Sequence, residues 1–337
     1  MDLNNLPAPE SRPGANPGFV FSMAIAGDGL GSEMDWDQFQ KNWNQPGLVW
    51  LHSQPGGEQT ESWLREESGV SEAQANYLLA DETRPGMIQS GDSLLIILRT
   101  LNQNPDQRAD DMVSVRMWMD TDHMLTFRLR RVYIFSEFRN KLRSGSGPTR
   151  TGEFLVQLIE KISNDLMDYV MEFSERVSQC EVQMLEGAPS DINDIASYRI
   201  AATRMRTFLI PQVEVLQRLD RSGVTWLQKE DGFEIKTSIE RLRRVLDDLG
   251  VIYERLALIE SERDRRLSES LNRRMYLLSM LSAIFLPLNL VASLLGMNVG
   301  GIPGSNSPVT FWVIAGINAS IAASAVFLLI QRKSAGQ

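Results

Sequence analysis

Hydrophobic and polar positions divide the chain into stretches of different period. From about Gly18 to Phe135 the apolar runs are short and punctuated by Gly and Pro, as strands are. Gly18 to Ala26 and Gly47 to His52 predict strands. So does Ser93 to Leu101 (SLLIILRTL), which is too apolar and too short for a lone exposed helix. Met112 to Met119 and His123 to Arg130 predict a hairpin. In its second run Leu125, Phe127 and Leu129 alternate with Thr126, Arg128 and Arg130, the period of a half-buried strand. Thr60 to Ala80 carries helical signals, with Ser71 and Gln74 spaced as a capping box.

From Ser136 onward strand signals stop. Phe154 to Leu185 predicts a long helix broken by Gly187 and Pro189. Ser190-Asp191 is placed to cap the next, which runs to about Leu219 with Pro211 as a kink site. After Asp231-Gly232 no proline occurs before Pro287, so Phe233 to Leu295 predicts one continuous helix. At 1.5 Å per residue that helix is about 95 Å long. It is too long to be buried in one globule and must emerge from it.

No Asp, Glu, Lys or Arg occurs from Met275 to Ile330. Met275 to Leu295 and Val309 to Ile330 are each long enough to cross a hydrocarbon core of roughly 30 Å. Uncharged spans of this length rarely serve as a buried hairpin in a soluble core, the alternative reading. Arg273 and Arg274 precede the first span, and Arg332 and Lys333 follow the second. By the positive-inside rule both termini are cytoplasmic and the uncharged connection is outside. The expected fold class is an α+β cytoplasmic domain, a long stalk helix and two C-terminal transmembrane helices. In residues, 1–17 is a disordered tail, 18–135 the cytoplasmic α/β domain, and 136–232 a cytoplasmic helical region. The cytoplasmic part of the stalk is 233–274, the spans are 275–295 and 309–330, the external loop is 296–308, and 331–337 is a cytoplasmic tail.

Two helices cannot enclose a wet path, so conduction requires several copies around an axis. In the first span Asn272, Met275, Ser279, Ser282, Leu286, Asn289 and Ser293 recur at alternating steps of three and four, a heptad seam on one face. Polar groups inside a membrane face protein or water rather than lipid, which makes the seam a candidate pore lining. Serines also occur on simple helix-packing faces; the two asparagines fit that alternative less well. Leu286 and Met275 would form apolar rings, candidates for a dewetting gate, with Leu278 adjacent. In the second span Gly316, Ser320 and Ser324 form a small-residue face suited to close helix approach, and Asn318 has no evident role.

Composition adds less. The formal charge of −9 lies on the soluble part, which argues against nucleic acid as a partner and suits a cation-handling protein. One cysteine, Cys180, permits no intrachain disulfide. The first residues lack the basic and apolar regions of a cleaved signal peptide. Tight zinc sites use Cys, His and carboxylates, and the spans contain none of these. The chain has only His52, His123 and Cys180 besides its carboxylates, so no cofactor is expected and a passing metal should keep much of its water. Asp120-Thr121-Asp122-His123 resembles a metal cluster, yet sits where a hairpin turn belongs. Arg263, Arg265, Arg266, Arg273 and Arg274 interleave with Glu260, Glu262, Asp264 and Glu269, as in a salt-bridged stalk; the last two arginines also suit anionic lipid headgroups. No phosphate-binding glycine loop or HExxH pattern suggests an enzyme.

The first span carries Ile284-Phe285-Leu286-Pro287-Leu288-Asn289, followed at its outer end by Gly296-Met297-Asn298. An FLPL-type segment and a Gly-Met-Asn between two C-terminal spans resemble the CorA magnesium transporter superfamily, and the resemblance covers nearly the whole chain. Magnesium-type members usually carry aromatic residues around the motif and an acidic residue after it. Here Leu295 precedes it and Val299-Gly300-Gly301-Ile302-Pro303-Gly304 follows, which looks like the ZntB zinc-transporter branch. Asp81-Glu82-Thr83-Arg84-Pro85 is similar to that branch too. The resemblance implies Gly296, Met297 and Asn298 as the selectivity motif, with Asn298 contacting the metal through water. It also implies a homopentamer in the bacterial inner membrane that transports Zn2+, with proton-coupled uptake as one scheme. A magnesium or cobalt channel and a non-conducting membrane-anchored protein are the alternatives.

Overall fold

The computed structural model describes residues 18–81, 83–186, 192–297 and 307–335. The expected tail 1–17, the break at Gly187 and Pro189, the Ser190-Asp191 cap and Asn298 lie outside the described residues. The chain divides into two compact units after Ile259.

The first unit is built on a seven-stranded sheet. Its strands are β1 (Phe19–Ile25), β2 (Gly31–Met34), β3 (Leu48–Ser53), β4 (Gly86–Ser90), β5 (Ser93–Thr100), β6 (Val113–Met119) and β7 (His123–Phe127), in the order β2-β1-β3-β7-β6-β5-β4. All neighbours are antiparallel except β3 and β7, which are parallel in a register that sets Val49 beside His123. The predicted strands and hairpin are present. The two strands the pattern did not reveal, β2 and β4, are the sheet edges, where short polar sequences are normal.

Three short helices lie on one face: α1 (Trp36–Trp43), α2 (Glu58–Glu66) and α3 (Glu72–Leu79). A capping box starts α1, with the Gln38 amide donating to Asp35 Oδ1 at 2.8 Å and the Asp35 amide to Gln38 Oε1 at 3.0 Å. The stretch predicted as helical over Thr60 to Ala80 is two helices, because Gly69 takes φ +77° and turns the chain between them. Ser71 caps the second, accepting from the Gln74 amide at 3.3 Å. The buried aromatics Trp36, Phe39, Trp43, Trp63 and Trp118 fill this layer.

The other face packs on α4 (Tyr133–Arg143), α5 (Thr151–Leu185), α6 (Ile192–Asp220) and the first part of α7 (Lys229–Leu295). Both α6 and α7 continue through their prolines, Pro211 and Pro287. Ile235, Ile239, Leu242, Val245, Leu249, Ile252, Leu256 and Ile259 form the buried stripe of α7 in this unit.

Covering both faces corrects one expectation. β7 is not a half-buried strand: Thr126 is as inaccessible as Leu125, while Leu129, beyond the strand, is exposed. Thr126 tolerates that position because its hydroxyl accepts from Trp50 Nε1 at 2.8 Å and meets His52 Nδ1 at 2.8 Å.

Candidate ion path

The second unit contains the rest of α7 and α8 (Pro308–Ala335). Among the described residues one helix, α7, is long and apolar enough to cross a membrane, with a window of mean hydropathy 2.0 and none of it buried. The apolar helix at Val309–Ser324 is shorter.

Asn272, Met275, Ser279, Ser282, Leu286, Asn289 and Ser293 are all exposed. The half-buried residues of the span are instead Met280, Ile284, Leu288 and Val291, and those of α8 include Thr310, Ile314, Asn318 and Ala322. These are the only described helices of the unit, so each stripe marks where one shields the other. At about 100° per residue, the shielded stripe of α7 lies roughly 180° from the polar seam. The seam therefore points away from α8. Gly316, Ser320 and Ser324 are exposed in the single chain, and the half-buried stripe of α8 runs through Ile314.

The seam residues differ in their needs. Ser282 donates to the Leu278 carbonyl at 2.9 Å, so its proton is satisfied within the helix. The side chains of Asn272 and Asn289 make no hydrogen bond to another described residue, and an amide without a partner is costly in hydrocarbon. Asn289 requires water or another copy of the chain. Asn318, half-buried on the shielded stripe, donates to the Ile314 carbonyl at 3.2 Å, while its Oδ1 has no partner.

The helix ends at Leu295. Gly296 donates to the Ala292 carbonyl at 2.9 Å, and Met297 is exposed. Asn298, the residue expected to meet the hydrated metal, lies outside the described residues. Just before the span, Glu262 accepts from Arg265 and from Arg266 (2.9 Å), and the two guanidinium groups hold its carboxyl down at about 2. Of the Arg-rich stretch, Arg265 and Arg266 thus pair along their own helix.

In the first unit Asp120 to His123 is a turn. Asp120 Oδ1 accepts from the amides of Asp122 (2.9 Å) and His123 (2.8 Å). No group of three or more His, Cys, Asp or Glu converges among the described residues. Of the Asp81 to Pro85 run, Glu82 lies outside the described residues, and the backbone on either side of it is held by two arginines. Arg116, only 1% exposed, donates to the carbonyls of Leu78 (2.8 Å), Ala80 and Asp81 (3.2 Å); Arg99 donates to those of Thr83 and Met112 (3.0 Å). Burial, helped by the Arg99 charge, lowers Arg116 to about 10. Sequence reading missed this pair, although a lone arginine inside each of two apolar strand runs was the available signal.

A sheet-and-helix domain followed in the chain by an uncharged helix with one hydrophilic edge is the layout of a membrane transport protein. The family model described as CorA-like Mg2+ transporter protein matches residues 45–333, and the chain belongs to that family. It is 32% identical over 268 residues to the divalent cation transporter CmaX of Pseudomonas aeruginosa, covering 79% of this chain and 81% of that protein. It is 30% identical over 263 residues to the zinc transport protein ZntB of Pectobacterium carotovorum, covering 78% and 80%. The solved structure of full-length CmaX superposes with a TM-score of 0.81 at 29% identity, over 95% of this chain and 99% of that one.

Proposed function

We propose that the protein is a homopentameric transporter of divalent cations, zinc foremost, spanning the bacterial inner membrane twice with both termini in the cytoplasm. The observation that carries this reading is the polar seam of α7. Its amides have no partner among the described residues and sit opposite the half-buried face of α7, so they line a shared wet axis when copies assemble. Two relatives named for divalent-cation and zinc transport support the substrate class. The loop after Gly296-Met297-Asn298 contains no carboxylate, which favours zinc over magnesium as the preferred ion.

The metal passes hydrated. Nothing in the spans offers a thiolate, imidazole or carboxylate, so Asn298 and backbone oxygens act on the hydration shell and bind weakly enough to release the ion. Weak selection by neutral oxygens lets nickel, cobalt and cadmium share the path. Leu286 and Met275 form the apolar constriction.

Flux into proteoliposomes loaded with a metal-sensitive dye tests the reading. Zinc should enter faster than magnesium, and Asn298→Ala should cut zinc flux at least about tenfold while light scattering still reports a pentamer. Unchanged zinc flux in Asn298→Ala would leave a non-conducting anchored protein, and magnesium outrunning zinc would leave a magnesium channel. An imposed pH gradient that accelerates zinc entry supports proton coupling; equal rates with and without it remove coupling from the scheme.

A further inference from the structure

The turn joining β6 to β7 is tied to three other elements. The Asp122 carbonyl accepts from the Val49 amide of β3 at 2.8 Å, and the Thr121 carbonyl accepts from Thr151 Oγ1 at the start of α5 at 2.9 Å. The third tie is the ring of His123. Its Nε2 lies 2.7 Å from the carbonyl oxygen of Trp43, the last residue of α1, and its Nδ1 lies 3.0 and 3.1 Å from the two Asp120 oxygens. The ring also lies against the Trp43 indole, tilted by 40° with centroids 4.0 Å apart.

Neither ring nitrogen faces a donor. A backbone carbonyl only accepts, and Asp120, already accepting two amide protons, is held in its ionised, accepting form. Both nitrogens must therefore donate, which a neutral imidazole cannot do. We infer that His123 is an imidazolium in the folded protein and acts as a proton-dependent latch fastening the end of α1 to the β6–β7 turn. The groups around it agree. From the turn, Asp120 and Asp122 supply negative charge; α1 presents its C-terminal carbonyl and an indole face, both favourable to a cation; β3 presents Val49, and α5 presents Thr151. Burial pulls the imidazole toward lower values, and the Asp120 contact outweighs it to hold the group above its ordinary range.

When the proton leaves, one contact must break. The tautomer that keeps Nδ1–H on Asp120 sets the Nε2 lone pair against the Trp43 carbonyl, so α1 is released at its C-terminal end while the turn stays intact. That places a pH-responsive joint in the aromatic layer, independent of how the membrane spans work.

Only two histidines occur in the chain, so ring-labelled histidine gives an unambiguous NMR titration of the full-length protein in detergent. One resonance should titrate with a midpoint above 6.5 and disappear in His123→Gln. Asp120→Asn should lower that midpoint by about 1 unit or more. Across the same midpoint, hydrogen exchange corrected for intrinsic rate should accelerate at the C-terminal end of α1 and not in β5. A His123 resonance already neutral at pH 6 would overturn the proposal, as would α1 protection that does not follow its titration. Because Asp120→Asn keeps the turn's acceptor oxygen, it separates loss of the charge from loss of the fold.

Discussion

Up to Ile259 the protein has a large enclosed apolar core, and from Glu260 onward no described side chain is buried. All six residues of β3 and all seven of β6 are buried, whereas no residue from Met275 to Leu295 is. The residue types hardly differ: leucine, isoleucine, phenylalanine and methionine fill both. What differs is the treatment of polar groups. In the sheet each buried polar side chain named above is matched to a partner, as Thr126 is to Trp50 and Arg116 to three carbonyls. On α7 the amides of Asn272 and Asn289 have no partner among the described residues. The first region is finished as a single copy; the second is completed by its surroundings, which under the proposed function are lipid on most sides and water along one edge.

Truncating one side chain in each region should have unequal effects on stability. Trp50 is fully buried, edge-on to Phe21 at 4.8 Å and Phe154 at 5.1 Å, with its indole proton on Thr126. Trp50→Ala should cost about 3–5 kcal/mol, measured by denaturant unfolding followed by circular dichroism. Leu286→Ala, 75% exposed, should leave that unfolding curve in place while altering metal flux. Equal destabilisation by both would mean that the seam is packed rather than wet.

A smaller effect is expected at Arg116. Arg116→Met leaves the carbonyls of Leu78, Ala80 and Asp81 without their donor and should lose about 2–3 kcal/mol in the same assay. Arg116→Lys should recover only part, because an ammonium cannot reach the carbonyls with the spread of a planar guanidinium. Full recovery by lysine would show that charge, not the shape of the fork, holds the loop before β4.

These contrasts also explain what could be read from the sequence. Strands β1, β3, β5 and β6 were legible because they are short, mostly apolar runs, as burial on both faces requires. The edge strands β2 and β4 were not, since GSEM and GMIQS satisfy backbone hydrogen bonds without burying a regular face. The strand period misled at β7, where polar positions predicted to meet solvent meet helices instead, and Thr126 is retained by a hydrogen-bond network that alternation cannot encode. The seam of α7 could be traced because seven positions in one chain define it, and all seven are exposed. On α8 the small residues signal only that close approach is permitted, without saying where it happens. The Arg99 and Arg116 grip was signalled only by one arginine in each of two strand runs; what it grips could not be read, as the acceptors are backbone carbonyls, which every sequence has.

The smallest effect concerns two histidines that pull stability in opposite directions with pH. His52 is buried beside Trp50 and Phe135; burial first, then the nearby Arg128 charge, holds it well below its ordinary range. Folded His52 therefore stays neutral where the unfolded chain, at about 6.5, takes up a proton. Its contribution is complete above that value and is lost as pH falls below it, at no more than the slope of one proton, about 1.4 kcal/mol per pH unit. His123, held above the ordinary range, has the opposite sign: its contribution is complete below about 6.5 and is lost as pH rises through the folded value. Melting temperatures of the full-length protein between pH 7 and pH 5 isolate the first. The wild type should fall more steeply than His52→Gln, which keeps an amide facing Thr126 but cannot titrate. Parallel profiles would mean that folded His52 accepts the proton as readily as the unfolded chain, and that the sheet interior is wetter than its burial indicates.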